Sequence, residues 1–219
     1  MEGPFVQLDA EFSPKDLLKS PIAFLDRDGV VNRGKAGYVN APEEVVLLPG
    51  AAEAIARLRT AGYIICVVTN QSPISRGLWG PNQLESIHHA LSEQLRLVNH
   101  GASIDAYITC PHRFEDGCSC RKPSPAMLYL GDRVLRENTL ESYTFTPQNA
   151  GLQSYAVDWW GSKPTPRHAL DAMVGDRRSD MGAGWGYGAR LFRVHGSIGL
   201  EEVVDRVLNE SDRGDSFQP

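Results

Sequence analysis

Five stretches of the chain run apolar and stop on polar residues, and between them the apolar positions recur at helical spacing. Ile22–Leu25 is continuously apolar and is expected to be a strand buried on both faces. Over residues 50–61, Ala51, Ala54, Ile55 and Leu58 share one helical face, and Gly62 follows where a helix-ending glycine belongs. "YIICVVTNQS" (63–72) is a β-branched run that breaks off in polar residues. Pro81 opens a second helix that reaches about Val98 and ends near Gly101. "IDAYITC" (104–110) reads as a third strand, 125–137 as a helix, 169–176 as holding a fourth strand, 189–194 as a fifth, and 201–209 as a closing helix. Residues 29–49, punctuated by Gly29, Gly34, Gly37, Pro42 and Pro49, are expected to be mostly loop with a hairpin. Residues 1–19 are expected to form a surface arm, 20–209 the domain, and the polar tail 210–219 to be disordered.

Alternating strands and helices predict an α/β fold with a parallel, doubly wound, Rossmann-type sheet. Ligands bind such sheets beyond the carboxyl ends of the strands. Three polar pairs fall there: Asp26/Asp28, Thr69/Asn70 and Asp176/Asp180 each follow an apolar strand. Taken singly, each has an ordinary reading as a turn, cap or strand end. Taken together, in order, they predict one shared site.

The chemistry such a site supports is phosphoryl transfer. A carboxylate attacks phosphorus to form an aspartyl-phosphate, and a second carboxyl protonates the leaving oxygen and then activates water. Mg²⁺ offsets the repulsion among these acids by binding carboxylate and phosphate oxygens together, with Asp176 and Asp180 available to complete its surroundings. Thr69 and Asn70 offer donors to phosphoryl oxygens, and Lys122 offers a point charge.

A second cluster, "CPHRFEDGCSC", places Cys110, His112, Cys118 and Cys120 within eleven residues. Three thiolates and an imidazole make a closed tetrahedral zinc set with no position left for water, so a structural Zn²⁺ stapling the loop is expected. The loop runs straight into Arg121, whose fork suits a further anionic group. Cys66 lies inside an apolar strand and reads as a small buried hydrophobe.

Composition narrows the partners. The net charge is −5 and no Lys/Arg block exceeds two residues, so nucleic acid is not expected as a partner. No stretch has the apolar length of a membrane span, and the acidic start does not resemble a signal peptide; a cytoplasmic protein is expected.

"FLDRDGVVN", "VVTNQS", "CRKPSP" and "MVGDRRSD" resemble the four motifs of the haloacid dehalogenase superfamily of phosphatases. The resemblance implies Asp26 as nucleophile and Asp28 as acid/base. It implies phosphate contacts from Thr69, Gln71 and Lys122. Mg²⁺ would be held by Asp26, the Asp28 carbonyl and Asp176, with Asp180 beside these ligands. Within that superfamily, "DRDGVVN…GYV", "VVTNQS…SRG", "CPH…CxCRKP" and "MVGD…DM" resemble the D-glycero-D-manno-heptose 1,7-bisphosphate 7-phosphatases, which lack a large cap domain. The implied reaction removes the C7 phosphate of that phosphorylated sugar. Arg121 and Arg76 would hold its other end, and Arg177 would add a phosphate contact. Histidinol-phosphate phosphatase shares the "CRKP" and the zinc pattern and stands as the alternative, with a non-catalytic binding protein on the same fold as a third reading. Pro73 departs from the family pattern. So does the surplus around 138–165, with Tyr143, Phe145, Tyr155, Trp159 and Trp160, which reads as a hairpin that lids the site, a dimer contact of an otherwise monomeric chain, a disordered excursion, or a segment whose tryptophans pack on the domain's own surface.

Overall fold

The computed structural model describes residues 3–8, 19–137, 146–147 (backbone only) and 157–218. Its strands are β1 (Phe5–Leu8), β2 (Ile22–Leu25), β3 (Ile64–Asn70), β4 (Ala106–Cys110), β5 (Thr146–Pro147), β6 (Ala172–Gly175) and β7 (Arg190–Arg193). Its helices are α1 (Ala51–Thr60), α2 (Pro81–Val98), α3 (Ala126–Glu137), α4 (Arg178–Tyr187) and α5 (Val204–Leu208). All described strands share one sheet in the order β5-β1-β4-β3-β2-β6-β7. β4, β3, β2, β6 and β7 run parallel, and β1 pairs antiparallel to β4.

Strand alternation sorts the side chains onto two covered faces. Leu25, Ile65, Val67 and Val174 pack with Ile55 and Leu58 of α1 and Ile87 and Leu91 of α2. Phe24, Cys66, Val68 and Met173 pack with Met127 and Val134 of α3 and Met181 and Ala183 of α4. With helices on both faces, the central strands β2, β3 and β6 are buried almost throughout, as the sequence predicts. α4 seats closely because Gly184 carries no side chain: a Cβ there would lie 2.6 Å from Met173 and Leu191.

β2 has β3 on one side and β6 on the other, although β6 follows it by almost 150 residues. That reversal of strand order is the switch point at which the sheet opens a crevice beyond its carboxyl ends. The expected hairpin after β2 is short: Leu48 N–H donates to the Val31 carbonyl (3.0 Å) and Arg33 N–H to the Val46 carbonyl (2.8 Å).

Two expectations are corrected. The first residues are not a surface arm throughout: Phe5–Leu8 enters the sheet in register with β4, with Val6 buried. The four-residue run is too short for its pattern to be read without the partner strand. The tail is ordered through residue 218. Arg206 pairs with Asp212 and Asp215, both at 2.9 Å. Asp215 N–H donates to the Leu191 carbonyl at 2.6 Å, Arg193 N–H donates to the Asp215 carboxylate at 2.8 Å, and Phe217 packs on the second core cluster. Acids that read as solvated instead satisfy the open edge of β7.

Tyr143, Phe145 and Tyr155 of the expected insertion lie outside the described residues. Within the described end of it, Trp159 stacks on Trp185 with centroids 5.7 Å apart, while Trp160 is fully exposed. Among the described residues no helix is long and apolar enough to cross a membrane.

Candidate active site

The site grows from the tip of β2. Asp26 N–H donates to the Val174 carbonyl at 3.0 Å, which pins the residue between β2 and β6. The chain then turns through Gly29 at φ +85°, where a Cβ would sit 2.7 Å from Asp176 Oδ2. Only glycine allows this turn to come so close to the end of β6.

Three carboxylates converge across the switch point. One oxygen from each of Asp26, Asp176 and Asp180 lies within 4.8 Å of the others. Asp180 sits in the first turn of α4, where its Oδ2 accepts the Arg177 N–H at 2.9 Å. Lys122 Nζ meets Asp26 Oδ1 at 2.9 Å, Asp180 Oδ1 at 2.7 Å and the Val68 carbonyl at 2.7 Å. Burial pushes the Asp26 carboxyl up to about 6, against the pull of Lys122. Burial likewise raises Asp176, with the Asp26 charge adding to it. For Lys122, burial opposes the charge, but Asp180 and Asp26 outweigh it and hold the ammonium above its ordinary range.

Lys122 neutralises one of the two buried acids, and among the described residues half-buried Asp176 has only the exposed Arg177 guanidinium nearby, at 3.8 Å. Asp176 Oδ1 is buried without a hydrogen-bond partner among the described residues. Three converging hard carboxylate oxygens, with a partnerless oxygen on Asp176, suit a divalent cation of the magnesium kind.

Asp28 faces the same cavity as Asp26 but is held differently. Its carboxylate receives Arg27 Nη2 at 2.9 Å, Asn32 Nδ2 at 2.9 Å and Gln71 Nε2 at 2.9 Å. Burial alone would raise its pKa; Arg27, Asn32 and Gln71 outweigh that and hold it below the usual carboxylate range. Arg27 is itself buried, at 1% exposure.

The cavity, of about 280 Å³, is lined by Asp26, Asp28, Thr69, Asn70, Arg121, Lys122, Arg177 and Asp180, together with Gly34, Lys35, Tyr38, Val39, Phe114, Pro123 and Ser179. Two expected phosphate donors are otherwise engaged. Asn70 clasps the main chain of Lys122, its Nδ2 donating to the Lys122 carbonyl (3.2 Å) and its Oδ1 accepting the Lys122 N–H (3.1 Å). Gln71 lies behind the wall, where Nε2 also donates to Thr69 Oγ1 at 2.9 Å. Arg76 is not part of the lining; it lies against Tyr38, whose hydroxyl is held below its usual pKa by the Ser72 hydrogen bond and by the Arg76 and Arg121 charges.

The cysteine cluster is assembled as expected. Sulfur–sulfur distances among Cys110, Cys118 and Cys120 are 3.6, 3.3 and 3.7 Å, and His112 Nδ1 lies 3.5 and 3.3 Å from Cys110 and Cys120. A disulfide needs about 2 Å. Zinc bonds of about 2.0 and 2.3 Å instead give tetrahedron edges of roughly 3.5 to 3.8 Å, which fits the observed set. Arg121 Nη1 donates to the His112 carbonyl at 2.8 Å, so the loop aims the residue that follows it.

No family model matches the chain. A protein of Bordetella bronchiseptica, named D-glycero-beta-D-manno-heptose-1,7-bisphosphate 7-phosphatase, is 43% identical over 106 residues, 48% of this chain and 58% of that protein. A protein of Mycobacterium tuberculosis (strain H37Rv), named as the phosphatase of the corresponding alpha sugar, is 35% identical over 159 residues, 72% of this chain and 68% of that protein. The chain belongs to the D-glycero-D-manno-heptose-1,7-bisphosphate 7-phosphatase family. The match spans less than two thirds of the Bordetella relative's length. Among solved structures, the D,D-heptose 1,7-bisphosphate phosphatase of B. bronchiseptica, complexed with magnesium and phosphate, aligns with a TM-score of 0.65 at 29% identity, covering 87% of this chain and 99% of that one.

Within this heptose-bisphosphate phosphatase family member, the sequence pattern missed the residues that orient the acids. Arg27 and Asn32 were not expected at the site, although a charged residue between two acids at a buried strand end is a visible signal. Tyr38 entered only as part of "GYV"; it adopts φ +74°, an unusual conformation for a non-glycine residue.

Proposed function

We propose that the chain is a magnesium-dependent phosphatase that removes the C7 phosphate of D-glycero-D-manno-heptose 1,7-bisphosphate through an aspartyl-phosphate. The observation that carries this reading is the convergence of Asp26, Asp176, Asp180 and Lys122 at the switch point of the sheet, in a chain of this family. An Asp26 carboxylate oxygen forms the bond to phosphorus while the sugar oxygen leaves with the proton of Asp28. Asp28 then takes a proton from water, the water oxygen bonds to phosphorus, and inorganic phosphate departs from Asp26. Thr69 Oγ1 and Lys122 Nζ hold the phosphoryl oxygens, and Arg177 adds charge at the rim. Arg121, with Arg76 and Tyr38 behind it, faces the end of the substrate that does not react.

Asp26, the Asp28 carbonyl and Asp176 would hold Mg²⁺, with Asp180 beside them; that ion neutralises the acids and the incoming phosphate. The relative solved with magnesium and phosphate supports the assignment. The Cys110, His112, Cys118 and Cys120 set would hold a structural Zn²⁺.

The test is phosphate release from both anomers of heptose 1,7-bisphosphate and from histidinol phosphate, with Mg²⁺ and with a chelator. The expected result is magnesium-dependent release with kcat/KM about 100-fold higher for the bisphosphate. Preference for histidinol phosphate would overturn the substrate assignment, and no release from any of the three would overturn the activity.

A further inference from the structure

A second cavity, of about 400 Å³, adjoins the catalytic one. The two share Phe114, Arg121, Lys122 and Pro123, and Val157 and Trp159 line the second and not the first. Those two residues lie in the segment between α3 and β6, where the sequence carries its surplus. The Bordetella structure is matched over 99% of its length by 87% of this chain, so this chain has residues with no counterpart there.

The catalytic cavity alone is small. At about 280 Å³ it falls just short of the usual range of roughly 300–1,000 Å³ for small-molecule sites. With one phosphate seated at Asp26, the far end of a sugar with phosphates at both ends is directed toward Phe114 and Arg121, which the two cavities share. The neighbouring cavity suits the remainder in charge and in shape. No acid lines it, and of its arginines Arg113 is already paired with Asp116 at 2.9 Å. Arg121 stands at the junction, fixed by its bond to the His112 carbonyl. Trp159 is a rigid wall, since it stacks on Trp185 with planes inclined by 24°. Aromatic faces of this kind give large contact area at small entropic cost.

We propose that residues 157–159 wall a second compartment of the catalytic cleft. It receives the sugar ring and the anionic group remote from the scissile phosphate, and Trp159 is a specificity-determining residue. The inference rests on the phosphatase reading above and deepens it. Residues 157–159 thus act on substrate choice and leave the chemistry at Asp26 to the shared motifs.

The test measures kcat/KM for heptose 1,7-bisphosphate and for glycerol 3-phosphate, which has no ring and no second phosphate. Their ratio is compared in the native chain, Trp159→Ala, Trp159→Phe and Val157→Glu, each checked for folding by thermal melting. Trp159→Ala should lower the ratio about tenfold through KM for the bisphosphate, the scale of a lost apolar contact in a substrate pocket. Trp159→Phe keeps the stack on Trp185 and should restore most of it. Val157→Glu sets a negative charge against the remote phosphate and should lower the ratio whether or not the alanine variant folds. A ratio unchanged in Val157→Glu, with Trp159→Ala unchanged or unfolded, would overturn the compartment while the phosphatase reading stands. A native chain that hydrolyses neither substrate would overturn both.

Discussion

Asp26 and Asp28 stand two residues apart and yet occupy different electrostatic environments. Asp26 is desolvated and touches an ammonium shared with Asp180; Asp28 is gripped by three donors. With the protein's own groups alone these shifts run opposite to the roles, since a nucleophile must be ionised and an acid protonated; a divalent cation at Asp26 would lower its carboxyl, and an incoming phosphate beside Asp28 would raise that one. Asp26→Asn is expected to lower kcat by at least about 10⁴-fold, with the circular dichroism spectrum and melting curve retained; normal turnover would remove Asp26 from the nucleophile's role. Arg27 is the less obvious test. Its buried guanidinium orients Asp28 and does not reach the cavity lining. Arg27→Met should slow an alkyl phosphate, which needs a proton on its leaving oxygen, about tenfold more than 4-nitrophenyl phosphate, which needs little help. Equal losses on the two substrates would point to simple misfolding of the turn.

At the scale of elements, the loop after β4 has little apolar content of its own, and the exposed Phe114 adds nothing to a core. Its order is expected to come from metal ligation, because bringing four soft ligands to tetrahedral spacing costs chain entropy that only a bound ion offsets. Metal analysis should find about one zinc per chain. Chelation should expose Cys110, Cys118 and Cys120 to a thiol reagent while Cys66, buried under α3, stays slow. It should also raise KM more than it lowers kcat, since Arg121 is aimed by the His112 carbonyl while Asp26 is held by the sheet. Three thiols equally inert with and without chelator would contradict the ligand set.

At the scale of the molecule, the sheet gains a strand at one end and a covered edge at the other that the pattern did not announce. β1 extends it beyond β4, and residues 212–217 cover β7. Removing residues 210–219 should lower stability by about 1–2 kcal/mol, the scale of uncovering one partly buried aromatic side chain, read as a drop in melting temperature with kcat unchanged. No shift in melting would show that Phe217 and the Arg206 pairs add nothing to the fold.

The chain's local pattern determined much of this by itself. Continuous apolar runs of four or five residues mark strands covered on both faces, and the polar breaks after them mark where a site must lie. Asp26, Thr69, Lys122 and Asp180 were therefore legible, as was the spacing of Cys110, His112, Cys118 and Cys120. What the linear pattern lacked was any measure of which distant segments meet. Asn70 reads as a phosphate donor until Lys122 is found clasped to it across 52 positions. Gln71 reads the same way until its amide is found on Asp28. The acidic tail reads as solvated until an arginine and a strand edge are placed beside it. Periodicity reports the burial a residue requires; only tertiary structure decides which partner satisfies a polar group, because that choice is made between parts of the chain far apart in sequence.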